Sequence, residues 1–72
     1  MTTPRLFVQA DLGHGRSVAL DAGQARYLGA VLRRSSGDDV RLFNGRDGEW
    51  RARIDALGKS GGTAVGEALL RA

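Results

Sequence analysis

Arginine is concentrated in one stretch of the chain, residues 31–54, which reads VLRRSSGDDVRLFNGRDGEWRARI. Guanidinium groups are planar forks that pair with phosphate through two hydrogen bonds and stack on nucleobases. Phe43 and Trp50 lie among the arginines, and aromatic rings offer a surface on which unpaired bases stack. Six arginines occupy the stretch: Arg33, Arg34, Arg41, Arg46, Arg51 and Arg53. This combination is typical of small β-rich domains that handle RNA.

The charge balance of the whole chain agrees with a polyanionic partner. The 72 residues carry a formal net charge of +3, and all but one of the eleven cationic residues are arginine. A basic, arginine-rich surface is the expected footprint of a nucleic-acid binder. A high-GC codon bias also enriches arginine, alanine and glycine, so composition alone leaves both explanations open.

Length and residue usage limit the possible classes of protein. Seventy-two residues make one domain, which we place at residues 1–72. Because the chain has no cysteine, disulfides and cysteine-based zinc sites are excluded. No apolar run approaches the roughly 20 residues that span a bilayer, and the N-terminus lacks the apolar region of a signal peptide. We therefore expect a soluble cytoplasmic protein with no membrane partner.

No group of residues has the pattern of a catalytic or metal centre. Gly58-Lys59-Ser60 ends like a phosphate-binding loop, but Arg53 stands where that motif needs its first glycine, and two glycines follow in place of a helix. His14 is the only histidine, and no carboxylate stands at ligand spacing from it. We expect this chain by itself to bind no metal or cofactor and to catalyse no reaction.

Hydrophobic periodicity places two short strands and a helix in the first half of the chain. Residues 5–9 and 17–20 predict strands, separated by a glycine-containing loop. Asp21 predicts a helix N-cap, and Gln24 stands where a capping-box partner reaches back. The helix is predicted over residues 22–33 and ends before Gly37. Four residues at helical spacing should face the core: Ala25, Leu28, Val31 and Leu32.

Period-two patterns predict the remaining strands. Val40 and Leu42 alternate with Arg41 and Phe43, and residues 49–55 alternate in the same way. Asn44-Gly45 between them is a turn signal, because both residues tolerate positive φ. A further turn at residues 58–62 precedes a last strand over residues 63–70. The predicted fold is mainly β, of the α+β class: an antiparallel sheet of five or six strands in the order β-β-α-β-β-β, curled into a small barrel with the helix closing one side.

These elements predict where the arginines lie relative to one another. Arg41, Arg51 and Arg53 share the polar faces of two adjacent strands, which makes a cationic patch. Arg26 and Arg33 are seven residues apart and should project together from the helix. The opposing interpretation is an ordinary solvated face, because four acidic residues are interspersed: Asp39, Asp47, Glu49 and Asp55.

The two aromatic residues of the stretch receive different predictions. Trp50 is in register with Ala52 and Ile54, so we expect it in the core. Phe43 shares a side with Arg41 and could stack on a base, but we favour its burial at a barrel corner.

Several short motifs follow one another in an order that a known family shares. Arg5-Leu6-Phe7-Val8 is similar to that family's opening strand, and Gln24-Ala25-Arg26-Tyr27-Leu28 with Val31-Leu32-Arg33 is similar to its helix. The residues from Gly37 to Gly45 match its Gly-Asp-x-Val-x-Leu-Phe-(Asp/Asn)-Gly signature. Over nearly its whole length the chain resembles the N-terminal domain of the RsmE family, methyltransferases that modify N3 of a uracil in 16S ribosomal RNA. Tyr27 departs from the pattern, since the family frequently carries histidine there.

The resemblance implies a PUA-like domain that helps to hold rRNA. In the family, the S-adenosylmethionine site and the catalytic machinery lie in a C-terminal knotted SPOUT domain, which these residues do not include. The implied parent is an S-adenosylmethionine-dependent methyltransferase and a homodimer. The implied partners are 16S rRNA or the small ribosomal subunit, and the parent's own SPOUT domain. Eight arginines are the candidate RNA contacts, with Arg5 and Arg33 first because they fall within matched motifs: Arg5, Arg26, Arg33, Arg34, Arg41, Arg46, Arg51 and Arg53.

Two other functions stay open at this point. The domain could be a structural module that packs on its catalytic domain or on a dimer partner, which predicts an exposed apolar patch around Phe43, Leu69 and Leu70. It could also be a free-standing RNA-binding barrel, which a reading frame that continues past Ala72 into a knotted domain would exclude.

Overall fold

The computed structural model describes residues 3–72, so the first two residues of the predicted domain lie outside it. Its strands are β1 (Arg5–Phe7), β2 (Ser17–Leu20), β3 (Asp39–Phe43), β4 (Glu49–Gly58) and β5 (Gly61–Arg71). Between β2 and β3 a helical segment begins as the α-helix α1 (Ala22–Arg26) and continues as a π-helix (Tyr27–Val31). The strands form one sheet in the order β1-β3-β4-β5-β2. A mainly β fold of the α+β class with one helical segment is thereby confirmed.

The sheet is mixed, whereas the sequence had indicated an antiparallel one. Strand β1 runs parallel to β3, and the other three pairs are antiparallel. A parallel pair requires a long crossover connection, and here β2 and the helical segment supply it. Consecutive strands β1 and β2 therefore lie at opposite edges of the sheet. Period-two patterns carry no information about strand direction, which is why this pairing was missed.

The helical segment begins as predicted and ends differently. Asp21 Oδ1 accepts a hydrogen bond from Gln24 N at 2.7 Å, and Gln24 Oε1 accepts one from Asp21 N at 3.1 Å, which completes the capping box. The predicted end at residue 33 is wrong, because the regular helix stops at Val31. Arg33 adopts a left-handed φ of 56°, a conformation in which helices usually end on glycine.

Widening into a π-helix also changes which side chains face inward. Leu28 is fully buried, but Val31, predicted for the core, is 63% exposed. The wider turn carries i→i+5 hydrogen bonds, so residues after Tyr27 no longer follow the 3.6-residue period. For the same reason the predicted common side of Arg26 and Arg33 does not follow from their spacing.

Alternation along the central strands builds the core on one face of the sheet. Val40 and Leu42 of β3 and Ala52 and Ile54 of β4 are completely buried. Trp50 packs against this core as predicted, partly buried, and its indole N–H donates to Asp47 O at 2.8 Å. The buried cluster contains ten residues: Val8, Leu12, Val18, Leu20, Leu28, Val40, Leu42, Ala52, Ile54 and Ala64. The residues between them on β3 and β4 must therefore point to the opposite face.

Over residues 3–72, none of the helical segments has the length and apolarity that a bilayer crossing requires.

Candidate nucleic-acid interface

The register of three neighbouring strands aligns three arginines on the face opposite the core. Arg5 of β1 is paired with Arg41 of β3, and Arg41 is paired with Arg51 of β4. All three side chains are exposed. We call these residues the arginine row and the face that carries them the outer face. Arg53 lies on the same face two residues further along β4, so the structure brings together the patch that the strand pattern predicted and adds Arg5 to it.

A second row runs beside the arginine row. The same registers pair Phe7 with Phe43 and Phe43 with Glu49. The two phenyl rings meet edge to face, with centroids 5.6 Å apart and an interplanar angle of 71°. The guanidinium carbon of Arg5 lies 4.7 Å from the Phe43 ring centroid, a cation–π contact. Phe43 is half-buried on the outer face and lies outside the core cluster, so the prediction of its burial is met only in part.

Glu49 closes the second row and joins it to the arginine row. Its carboxylate accepts a hydrogen bond from Arg5 Nη2 at 2.9 Å and one from Arg41 Nη1 at 3.4 Å. The side chain of Glu49 is only 11% exposed. The hydrogen bond from Arg5 holds the pKa of the Glu49 carboxyl below its ordinary value, while partial desolvation opposes the shift. A single carboxylate therefore orders two members of the arginine row.

Glu67 of β5 likewise pairs with two arginines of β4 on the outer face. Its two carboxylate oxygens lie 3.7 Å from Arg51 Nε and 3.4 Å from Arg53 Nη1. His14 is exposed, and its Nδ1 donates to the Glu67 carbonyl at 2.9 Å. Glu67 had not been recognised in the sequence as part of the site, because the pairing of β5 with β4 is not visible in a local pattern.

The balance of charge differs along the outer face. At one end, Asp39 stands opposite Arg53 across the β3–β4 pair, and Asp55 follows on β4, so acids offset cations there. At the other end, the arginine row shares Glu49 and Glu67 among more guanidinium groups than carboxylates. The solvated-face interpretation therefore fits the Arg53 end better than it fits the arginine row.

The loop between β3 and β4 is held by a network around Asp47. Asp47 Oδ2 accepts hydrogen bonds from Asn44 Nδ2 at 2.8 Å and from Leu12 N at 3.1 Å. These bonds, the one from Asn44 first, hold the pKa of the Asp47 carboxyl below its ordinary value. Asn44 Oδ1 in turn accepts from the backbone N–H groups of Arg46 and Asp47. The turn that presents Phe43 and Glu49 is thus rigidly tied to the segment after β1.

Arg46 adds further hydrogen bonds between this loop and the segment after β1. Its Nη2 donates to Asp11 Oδ1 at 2.9 Å and to Gln9 O at 3.2 Å. Arg46 directly follows Asn44-Gly45 in the turn between β3 and β4. In the structure an ion pair directs it toward the loop after β1, although more than half of its side chain stays exposed.

The three remaining candidate arginines belong to the helical segment and its end. Arg26 is exposed and, with Lys59, borders a groove of about 470 Å³ whose floor includes Gly29 and Leu57. Arg33 is exposed, and Arg34 is half-buried. Because the helical segment that carries Arg26 packs Leu28 into the core, Arg26 does not join the outer face. The eight candidates therefore form no single surface, and their assignment to RNA stays a prediction.

Two residues of the outer face had not been predicted as site residues. Phe7 was assigned only to an apolar strand, yet it is 50% exposed beside Phe43. Arg71, near the end of β5, is paired with Glu49 and is exposed. The predicted strand did not show which face Phe7 takes, because Leu6, Phe7 and Val8 are three apolar residues in a row.

The outer face combines guanidinium groups with aromatic rings. Within the described residues no group of three or more histidine, cysteine, aspartate or glutamate side chains could hold a metal ion. A row of guanidinium groups beside exposed rings can pair with phosphates and stack on bases.

Comparison with protein families finds a match over more than half of the chain. Residues 20–65 match the model of a family described as RNA methyltransferase PUA domain. The chain is also 35% identical, over 57 residues, to ribosomal RNA small subunit methyltransferase E of Rickettsia conorii. That alignment covers 78% of this chain and 23% of the relative.

Two solved structures resemble the whole fold. A methyltransferase of Legionella pneumophila in complex with S-adenosylmethionine matches with a TM-score of 0.83 and 25% identity, covering 99% of this chain and 29% of that one. Ribosomal RNA small subunit methyltransferase E of Neisseria gonorrhoeae, bound to S-adenosylmethionine, matches with a TM-score of 0.77 and 29% identity, covering 90% of this chain and 26% of that one. The chain therefore spans about a quarter of the length of these relatives.

Proposed function

Because the chain belongs to the RsmE family, as a PUA-like domain of RNA methyltransferases, we propose that it recognises ribosomal RNA for a methyltransferase whose catalytic part lies outside these residues. On this proposal the parent transfers a methyl group from S-adenosylmethionine to N3 of a uracil in 16S rRNA, in the cytoplasm. The cofactor would bind to the C-terminal SPOUT domain, through which the parent would form a homodimer. This chain would contribute recognition and no step of the chemistry.

The arginine row is the observation that carries the proposal. Arg5, Arg41 and Arg51 lie on adjacent strands, about 4.8 Å apart from one strand to the next, which is the spacing of hydrogen-bonded strands. Glu49 holds the guanidinium groups of Arg5 and Arg41 in place without covering them. Such a line of ordered donors suits the repeated phosphates of a nucleic-acid backbone.

A salt-dependent binding measurement tests the proposal. Fluorescence anisotropy of a labelled stem-loop from the small-subunit RNA would be followed with this chain between about 50 and 200 mM salt. Arg41→Ala should weaken binding and reduce the slope of log K against log salt by about 0.7 to 0.9, the contribution of one phosphate contact. Lys59→Ala removes the same charge at the turn between β4 and β5 and serves as the matched control.

The comparison with Lys59→Ala separates a specific RNA surface from a general effect of net charge. A loss at Arg41 that exceeds the loss at Lys59 supports an RNA surface on the outer face. Equal losses would mean that RNA responds only to net charge, and binding without salt dependence would contradict the role of the arginines.

A second function is favoured by the apolar residues at the end of β5. Leu69 and Leu70 are exposed, and the relatives continue well beyond the part that this chain matches. The alternative is that this end packs on the catalytic domain or on a dimer partner. It predicts that the chain binds a separately expressed SPOUT domain, that Leu69→Ser weakens this complex, and that RNA affinity is negligible.

A further inference from the structure

The Phe7 ring is an exposed aromatic surface at the edge of the sheet. Strand β1 is an edge strand, so on one side Phe7 has no neighbouring strand to cover it. On its other side the ring meets Phe43. The Arg5 guanidinium lies over Phe43, which leaves Phe7 as the more exposed ring of the two. Phe7 and the half-buried Phe43 together form a contiguous aromatic surface beside the arginine row.

The surroundings of Phe7 favour a nucleobase over an apolar protein segment. The arginine row runs alongside the row of Phe7 and Phe43, with the backbones of the two rows about 6.6 Å apart, twice the rise per residue in a strand. A partner that covers the ring must therefore also carry negative charge next to its flat apolar part. An unpaired nucleotide has this combination, with a base attached to a phosphate backbone. An apolar protein segment would add no negative charge to a row in which three guanidinium groups share two carboxylates.

Stacking on an exposed ring distinguishes single-stranded RNA from a duplex. Bases inside a duplex are stacked on each other and present only their edges, so they cannot lie on a protein ring. An unpaired base has both faces available. We propose that Phe7 is the stacking surface for one unpaired nucleobase while the adjacent arginine row binds the phosphates of the same strand. This inference rests on the proposed function and deepens it to a preference for single-stranded RNA.

The test uses a short oligouridine as the probe and two variants of Phe7. Phe7→Leu removes the ring and keeps an apolar side chain, and Phe7→Tyr keeps the ring. Phe7→Leu should weaken oligouridine binding by roughly 5- to 150-fold, the range for loss of one stacked base. Its salt slope should stay unchanged, because no phosphate contact is lost. Phe7→Tyr should retain the affinity.

A direct readout accompanies the variants. The chain has two phenylalanines, so their ring protons can be assigned by NMR. Addition of oligouridine to the unaltered chain should shift the Phe7 ring protons upfield more than those of Phe43. A self-complementary RNA duplex should bind without this shift. These spectra test the stacking even if a variant folds poorly.

The outcomes separate this inference from the proposed function. Salt-dependent binding that is equal in Phe7→Leu and in the unaltered chain, without ring-proton shifts, would refute the stacking and leave the RNA role intact. Absence of any RNA binding would overturn both proposals. A duplex that shifts the ring protons as much as the single strand does would overturn the preference for unpaired bases.

Discussion

Replacing Glu49 with glutamine tests whether the negative charge of Glu49 limits the affinity of the arginine row for RNA. Glu49 is the carboxylate that holds Arg5 and Arg41, so Glu49→Gln leaves both guanidinium groups without an ionic partner there. The amide oxygen can still accept a hydrogen bond from Arg5. If the row binds RNA phosphates, the variant should bind RNA more tightly than the unaltered chain.

The expected gain follows from counterion release. One additional phosphate contact steepens the slope of log K against log salt by about 0.7 for a single strand. At about 0.15 M salt this corresponds to roughly 0.6 units of log K, or about a fourfold gain in affinity. Loss of ordering by Glu49 opposes the gain. The side chains of Arg5 and Arg41 are 56% and 47% exposed, and ion pairs of exposed arginines contribute little, so the charge effect should win.

The assay is the salt series of anisotropy titrations with oligouridine, and Ser60→Lys is its matched control. Ser60 is exposed in the turn between β4 and β5, so this variant adds one positive charge away from the row. Glu49→Gln should gain affinity and slope, and Ser60→Lys should gain clearly less. A folded Glu49→Gln that binds more weakly, or no better than Ser60→Lys, would show that the reasoning about the row is wrong.

Three further predictions concern stability. The hydrogen bond from Arg5 lowers the pKa of the Glu49 carboxyl from its ordinary 4.5, so the unfolded state takes up this proton first as the pH falls. The contribution of Glu49 to the free energy of unfolding should be complete above about pH 4.5 and be lost as the pH falls through the lower folded-state pKa. Acid unfolding followed by Trp50 fluorescence should therefore show a flatter pH profile for Glu49→Gln. Ile54→Val should reduce the free energy of unfolding by about 1 kcal/mol in urea titrations, because Ile54 is completely buried, and no change would mean that this part of the core is loosely packed. Arg33→Gly should raise the free energy of unfolding by up to about 1 kcal/mol, because Arg33 has a φ of 56°, which glycine adopts without strain. A decrease would mean that the arginine side chain makes a stabilising contact that outweighs the backbone strain.

Features set by neighbours in the sequence could be predicted. The capping box of Asp21 and Gln24 depends on two residues three apart, and it formed as expected. The inward direction of Val40 and Leu42 follows from alternation alone, and it also places Arg41 on the outer face. The turn after β3 could be located because Asn44-Gly45 is a local signal, and Gly45 indeed has a φ of 79°.

Features set by distant parts of the chain could not be predicted. The parallel pairing of β1 with β3 places Phe7 beside Phe43, and no local pattern encodes it. Glu67 reaches Arg51 and Arg53 only because β5 pairs with β4 through irregular registers. The change from α- to π-helix after Arg26 depends on how the segment packs, and it overturned the predicted core position of Val31.

The same long-range pairings explain why the arginines of β3 and β4 could be assigned to one face from the sequence, whereas the complete site with Arg5 and Phe7 could not be predicted. Arg41 of β3 and Arg51 and Arg53 of β4 lie on one face of the sheet, but the sequence alone leaves the charge of this face ambiguous, because acids on the same strands offset the arginines. The parallel addition of β1 changes this. It brings Arg5 to Arg41 and Phe7 to Phe43 in one step, which extends the charge and adds a ring at the sheet edge. The position of β1 thus joins an exposed aromatic ring to the cationic face, and this combination supports the proposed recognition of RNA.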